Sequence, residues 1–195
     1  FLLQLSMEDK SQHLHKMIIQ ANNIGTDISP TMYGIFFEDI NYGADGGLYG
    51  EKLKNRAFQF HDNFMGWTRF GNVQLYDDGP FENNPHYIRL GNPGHPQRHT
   101  GIENEGFFGI GVEEGSQYRF SVYGRCNGSK QELKVQLIKN DSMDEDQAFE
   151  DKKLVIDSTD WQKYELILTA NRTEIKSHFR IFLTTDGDVD LCHFS

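Results

Sequence analysis

The chain has 195 residues, 25% of them charged and 13% aromatic, with a formal net charge of −10 at pH 7. This length fits one domain, or one domain with an added segment, and allows a core that buries roughly 70% of the unfolded surface. The acidic balance excludes a nucleic-acid partner, because no cationic field offsets phosphates. No apolar run reaches the roughly 18 residues of a membrane-spanning helix, and 15 Phe and 8 Tyr exclude a disordered chain.

Residues 1–14 show no clear period and read as an N-terminal tail. The missing initiator Met suggests a chain that starts inside a longer reading frame. Residues 15–21, with Met17, Ile18 and Ile19, read as a short strand, and Asn22-Asn23-Ile24-Gly25 as a turn. Pro30 keeps Ser29 out of helical geometry. The apolar run 32–40, Met-Tyr-Gly-Ile-Phe-Phe-Glu-Asp-Ile, has the length and aromatic content of a strand buried on both faces. A glycine-rich loop, Gly43-Ala44-Asp45-Gly46-Gly47, follows it. In 48–58, Leu48, Leu53 and Phe58 alternate with charged residues, which reads as a short amphipathic helix. The two pieces together read as the opening β-α unit of an α/β fold.

From residue 70 onward, short runs alternate with period two and are separated by Gly, Asn, Asp or Pro. In 117–126, Tyr118, Phe120 and Val122 share one face while Arg119, Ser121 and Tyr123 share the other. Leu133, Val135 and Leu137, then Tyr164, Leu166 and Leu168, then Phe179, Ile181 and Leu183 repeat the pattern. Such strands predict an antiparallel sandwich over about 67–191, with Tyr118, Phe120, Val122, Val135, Leu166 and Ile181 buried. The acidic stretch 141–151 reads as a solvated loop, and 187–195 as the start of a last strand. Cys126 and Cys192 read as buried free thiols unless their strands are neighbours. Asn127, Asn140 and Asn171 head glycosylation sequons.

Within 28–60 the run Ser29-Pro30-Thr31-Met32-Tyr33-Gly34-Ile35-Phe36-Phe37-Glu38-Asp39-Ile40-Asn41 is followed by Asp45-Gly46-Gly47-Leu48-Tyr49 and Lys54-Asn55-Arg56-Ala57-Phe58. This order resembles the start of glycoside hydrolase family 51 α-L-arabinofuranosidases, where the segment forms the first strand of a catalytic (β/α)8 barrel. Glu105-Gly106-Phe107-Phe108-Gly109-Ile110-Gly111-Val112, Gly115-Ser116-Gln117-Tyr118-Arg119-Phe120-Ser121-Val122 and Thr159-Asp160-Trp161-Gln162-Lys163-Tyr164 resemble the sandwich, like a carbohydrate-binding module, that longer members insert after that strand. The resemblance implies a mainly β chain. Residues 1–14 are the tail, 15–62 the orphan β-α unit of a truncated barrel, and 63–195 a jelly-roll, galactose-binding-like sandwich. Cys192-His193-Phe194-Ser195 departs from the family pattern.

Retaining glycosidases need two carboxyl groups about 5–5.5 Å apart. By resemblance both are glutamates on later barrel strands, so no catalytic residue is expected here, and Glu38 and Asp39, adjacent on a strand, point to opposite faces. Glu38 matches the family's glutamate that accepts hydrogen bonds from arabinose hydroxyls, with Asn41 and Asp45 as neighbouring substrate-binding candidates. Among Trp67, Tyr76, Tyr87, Phe107, Phe108, Tyr123 and Trp161, which together could stack on sugar rings, Tyr123 and Trp161 are taken as the stacking pair and Trp67 as core. His86, His95 and His99 lack compact ligand spacing for zinc. No cofactor is implied; abundant Asp and Glu leave room for a structural calcium without fixing a site.

The implied partners are an arabinose-containing polysaccharide and the missing C-terminal barrel of the same protein, in a secreted, extracytoplasmic setting. An apolar 32–40 segment without its barrel neighbours would invite self-association, and removal of 1–60 would leave a folded sandwich. The alternative is a free-standing carbohydrate-binding sandwich, for which a barrel strand with a substrate glutamate has no use.

Overall fold

The computed structural model describes residues 2–8, 14–38, 40–91, 100–139 and 148–195, and the chain divides into two compact units, Phe1–Glu38 and Asp39–Ser195.

In the first unit, β1 (Leu2–Glu8) pairs antiparallel with β2 (Leu14–Gln20), with Leu2 opposite Gln20 and Glu8 opposite Leu14. The strand expected at 15–21 is β2. Within the segment expected as a tail, 1–14, residues 2–8 form β1 and Leu14 opens β2. Residues 32–40 do not form the expected strand. After a turn closed by Met32 N–H to the Ser29 carbonyl (2.9 Å), residues 33–38 run irregularly and exposed, with Ile35 93% exposed. A strand buried on both faces needs partners on both sides for its N–H and C=O groups, and no strand among the described residues pairs with it. Asp39 lies outside the described residues.

The helix expected over 48–58 is also absent, these residues being turns and irregular chain. Ala44–Leu48 makes one five-residue turn, closed by Leu48 N–H to Gly43 O (3.1 Å) and Tyr49 N–H to Ala44 O (3.0 Å). Asn55 and Phe58 then take positive φ, 52° and 56°, which a right-handed helix does not allow. A five-residue apolar spacing also fails to keep one face at about 3.6 residues per turn. Leu53 and Phe58 are buried all the same, because they enter the sandwich core from one end while Leu48 stays exposed.

The sandwich is built from β3 (Trp67–Phe70), β4 (Asn72–Tyr76), β5 (Tyr87–Gly91), β6 (Thr100–Asn104), β7 (Ile110–Val112), β8 (Gln117–Cys126), β9 (Gln131–Lys139), β10 (Ala148–Ile156), β11 (Gln162–Thr169), β12 (Glu174–Leu183) and β13 (Asp188–Cys192). All neighbours are antiparallel. A six-stranded sheet has the order β10-β9-β12-β6-β3, with β7 also on β12, and a five-stranded sheet has the order β11-β8-β13-β5-β4. Alternation decides what goes inside. Ile102, Ile181 and Val135 lie in register across β6, β12 and β9, and Phe120 meets Phe179 at 4.7 Å. Phe120, Val122, Val135 and Ile181 are buried as expected, while Tyr118 and Leu166 are half-buried against the same core. Phe58, Trp67 and Phe194 close one end, with ring centroids 5.2–5.8 Å apart, and the Trp67 indole N–H donates to the Asn55 carbonyl (3.0 Å). Trp67 is therefore core, as expected.

Of the acidic stretch 141–151, residues 141–147 lie outside the described residues, and the loop expected over 148–151 is corrected, because these residues belong to β10. Cross-strand ion pairs, Lys134–Asp151 (2.8 Å) and Lys153–Glu132 (2.9 Å), offset the charge that made it look like a loop. Cys126 and Cys192 sit on neighbouring strands, but Cys126 is opposite Val189 and Cys192 opposite Tyr123, so they point to opposite faces of the sheet. Both are buried free thiols, and burial pushes Cys192 up to about 12. The last strand ends at Cys192. His193 turns with φ 50°, Phe194 returns to the core, and Ser195 exchanges backbone hydrogen bonds with Ser121.

Candidate functional site

The outer face of the five-stranded sheet carries an array of polar and aromatic groups that strand alternation and register arrange. Strand register aligns Arg125, Asp190, Arg89 and Gln74 across β8, β13, β5 and β4. Asp190 is 0% exposed. Its carboxylate accepts hydrogen bonds from Arg89 Nε (2.6 Å) and NH2 (2.9 Å) and from Arg125 Nε (2.9 Å). A buried carboxylate is tolerable only with such paired donors. The Asp190 hydrogen bonds also push the Arg89 guanidinium further up, so it stays charged at any working pH.

Aromatic rings are laid over this ion cluster. Tyr76 and Tyr87, opposite each other on β4 and β5, stack at 5.1 Å with planes 12° apart. Trp161, just before β11, meets Tyr87 edge-on at 5.3 Å. The Arg125 guanidinium lies 4.8 Å from the Trp161 ring centre and 5.6 Å from that of Tyr87, and Arg89 lies 5.0 Å from Tyr76. Rings held by cations and by each other present fixed apolar faces, and guanidinium groups beside them can donate to hydroxyls. Burial is the main cause that raises the Tyr87 phenol, which therefore stays protonated. The array suits a neutral, hydroxyl-rich ligand.

The expected stacking pair is on this face. Trp161 is part of the array. Tyr123 shares the face with Arg125 but forms a separate group, its ring meeting the edge of Phe81 at 4.9 Å and His193 at 6.3 Å. Arg89, Arg125 and Asp190 were missed by the sequence reading. Their strand alternation was visible, but the register that aligns them was not.

Glu38 is exposed at the end of the first unit, in irregular chain. Asn41 and Asp45 belong to the second unit, both exposed, Asn41 with φ 53° and Asp45 within the 44–48 turn. Asn41 and Asp45 thus share a loop region of the second unit. Among the described residues no group of three or more His, Cys, Asp or Glu could hold a metal ion; His95 and His99 lie outside them. Among the same residues no helix is long and apolar enough to cross a membrane.

The outer face of the six-stranded sheet carries a second buried ion group. The Glu103 carboxylate sits 2.6 Å from His178 Nδ1 and accepts from Arg180 Nε (3.1 Å) and NH2 (2.8 Å). Burial alone would push Glu103 up, but the hydrogen bonds from His178 and Arg180 outweigh it and hold the carboxyl below its ordinary range.

Two antiparallel sheets, one with an aromatic and cation-bearing outer face, define a β-sandwich module of the kind that binds carbohydrate. A family model described as a carbohydrate binding domain matches residues 50–187, and the chain belongs to that family. Its relatives include α-L-arabinofuranosidase 1 of Arabidopsis thaliana, 27% identical over 94% of this chain and 29% of that protein. The extracellular exo-α-L-arabinofuranosidase of Streptomyces chartreusis is 33% identical over 86% of this chain and 20% of its own length. Among solved structures, an arabinose-bound α-L-arabinofuranosidase of glycoside hydrolase family 51 is similar at TM-score 0.72 and 26% identity, over 84% of this chain and 28% of that one. The resemblance read from the sequence motifs is borne out. The chain spans less than a third of each of these proteins.

Proposed function

We propose that this chain is the N-terminal, carbohydrate-binding portion of a secreted α-L-arabinofuranosidase that acts on arabinose-containing plant cell-wall polysaccharides such as arabinan and arabinoxylan. The observation that carries the reading is the Tyr76–Tyr87–Trp161 array with Arg89 and Arg125 on the outer face of the five-stranded sheet, where Tyr87 is buried and Tyr76 and Trp161 are half-buried. It offers ring faces for stacking and guanidinium donors for hydroxyls, which is what a neutral polysaccharide needs. The family and relatives support it, one of them an extracellular enzyme. In this reading the catalytic carboxylates belong to the barrel of the same protein. Glu38, Asn41 and Asp45 contribute arabinose contacts there, and the sandwich holds the polymer near the barrel.

Native electrophoresis of the chain through gels containing arabinan or arabinoxylan tests this. The wild-type chain should be retarded in at least one of the two, and Trp161→Ala should migrate as it does in a plain gel. Unchanged mobility of the wild-type chain in both polysaccharides would sink the reading.

A further inference from the structure

A second cleft lies away from the Trp161 face and is built by residues on both sides of a single buried amide. Asn104 is 0% exposed at the end of β6. Its Oδ1 accepts from the backbone N–H groups of Lys54 (3.0 Å) and Gly106 (2.9 Å), and its Nδ2 donates to the Lys54 carbonyl (2.8 Å). One side chain thus ties the segment before the sandwich strands to the 105–109 loop. The loop is a tight reversal. Gly106 and Gly109 take φ 68° and 96°, and Gly109 N–H donates to the Glu105 carbonyl (3.1 Å). A Cβ on Gly109 would lie 2.7 Å from the Lys176 Cα, so the loop backbone rests directly on β12. A Cβ on Gly46 would lie 2.6 Å from the Phe107 ring, so the 44–48 turn passes directly against that ring.

Between these pieces is a cleft of about 340 Å³ lined by Tyr42, Lys54, Glu105, Phe107, Phe108 and His178, with Lys176 at its exposed rim. Tyr42 meets Phe107 at 5.3 Å and Phe108 at 6.3 Å. Phe108 is 78% exposed and has φ 133°, a conformation that L side chains rarely adopt. A ring left in water gains nothing from folding, the backbone beneath it is strained, and the edge contact with Tyr42 covers little of it. Both features are explained if the ring face is a contact surface. The polar groups around it are already neutralised in pairs: Lys54 Nζ is 3.0 Å from Glu105 Oε1 and 5.1 Å from the Tyr42 ring centre, and His178 Nδ1 is held by Glu103. Paired donors and acceptors beside an aromatic face match a sugar hydroxyl, which both donates and accepts, better than they match an ion.

We infer that this cleft is a second carbohydrate subsite, in which a neutral pentose or hexose ring lies on Phe108 and its hydroxyls bond Lys54, Glu105 and His178. The inference rests on the reading that the chain binds polysaccharide, and it places sugar contacts on the 42–54 segment as well as on the sandwich strands. Asn104 acts as a positioning residue, since it touches no ligand and sets the spacing of the two walls.

The test is calorimetric titration of the full 195-residue chain with α-1,5-linked arabinohexaose and xylohexaose, with trigalacturonate as the charged comparator. Amide chemical shifts are followed in the same samples. Phe108→Ala should weaken the neutral oligosaccharide by about tenfold and stay folded, because the ring is exposed. Ligand-induced shifts should appear at Tyr42 and 105–109, and Glu105→Gln should weaken binding while the free protein's spectrum changes only near Lys54 and 104–109. If Trp161→Ala abolishes binding while Phe108→Ala changes nothing and 105–109 does not shift, this inference is overturned and the proposed function stands. If no oligosaccharide binds the wild-type chain, both are overturned. Preference for trigalacturonate over the neutral probes would overturn the neutral-sugar assignment.

Discussion

Asp190 shows how one residue can hold a whole face together. It is a carboxylate with no exposure, set between two arginines whose side chains are still 28% and 29% exposed. Asp190→Asn removes the charge but keeps the shape, and leaves two cations sharing a site built for an anion. Because both guanidinium groups can turn toward water, the loss should fall below the about 3–5 kcal/mol typical of breaking a fully buried pair, at about 2 kcal/mol. Urea unfolding measures it, and a loss below about 0.5 kcal/mol would show that the array does not depend on the ion cluster. Glu103 makes a pH-dependent contribution on the other sheet. Its folded pKa lies below its unfolded value of about 4.5, so its stabilisation is complete above that value and fades as pH falls through the folded pKa. Thermal unfolding from pH 6 down should therefore show a drop below about pH 4.5 that is smaller in Glu103→Gln, which should be less stable than wild type at pH 6.

At the scale of elements, what could be read in the chain was whatever a short window decides. The strand at Gln117–Cys126 was legible because Tyr118, Phe120 and Val122 alternate with Arg119, Ser121 and Tyr123, and a half-buried strand writes its own face into that pattern. The run 32–40 was misread because its apolar character is real but its pairing depends on neighbours that no local pattern can supply. Leu53 and Phe58 were picked out as inward-facing but assigned to the wrong structure. Positive φ at Asn55 and Phe58 lets irregular chain deliver both to the core. Trp161 could be named as a stacking residue, whereas its cation neighbours depended on register across β8, β13 and β5, which is set by long-range pairing. The same element changes the expected effect of truncation. Removal of 1–38 should leave a cooperative sandwich. Removal of 1–60 deletes Leu53, Phe58 and the Asn55 carbonyl that holds Trp67, and core losses of about 2–5 kcal/mol per large side chain would consume much of a typical domain's stability. Calorimetric melting of both truncated chains decides this; equal midpoints would show that the plug of Phe58, Trp67 and Phe194 is dispensable.

For the whole molecule, the proposed role is to hold sugar, and bond cleavage belongs to the barrel in that proposal. The purified chain should not release p-nitrophenol from p-nitrophenyl α-L-arabinofuranoside, because turnover with retention needs two carboxyl groups about 5–5.5 Å apart and the family places both on barrel strands. Release that disappears in Glu38→Gln would overturn that expectation. The two cysteines bear on where such a molecule can be made. They lie on adjacent strands, yet the pleat turns one inward and the other outward, so an oxidising compartment has no bridge to close and a reducing one has none to open. The sandwich's stability therefore owes nothing to a disulfide and rests on packing, hydrogen bonds and ion pairs. Protein recovered from a bacterial cytoplasm and protein recovered from culture medium should melt at the same temperature, and adding a reductant should leave that temperature unchanged.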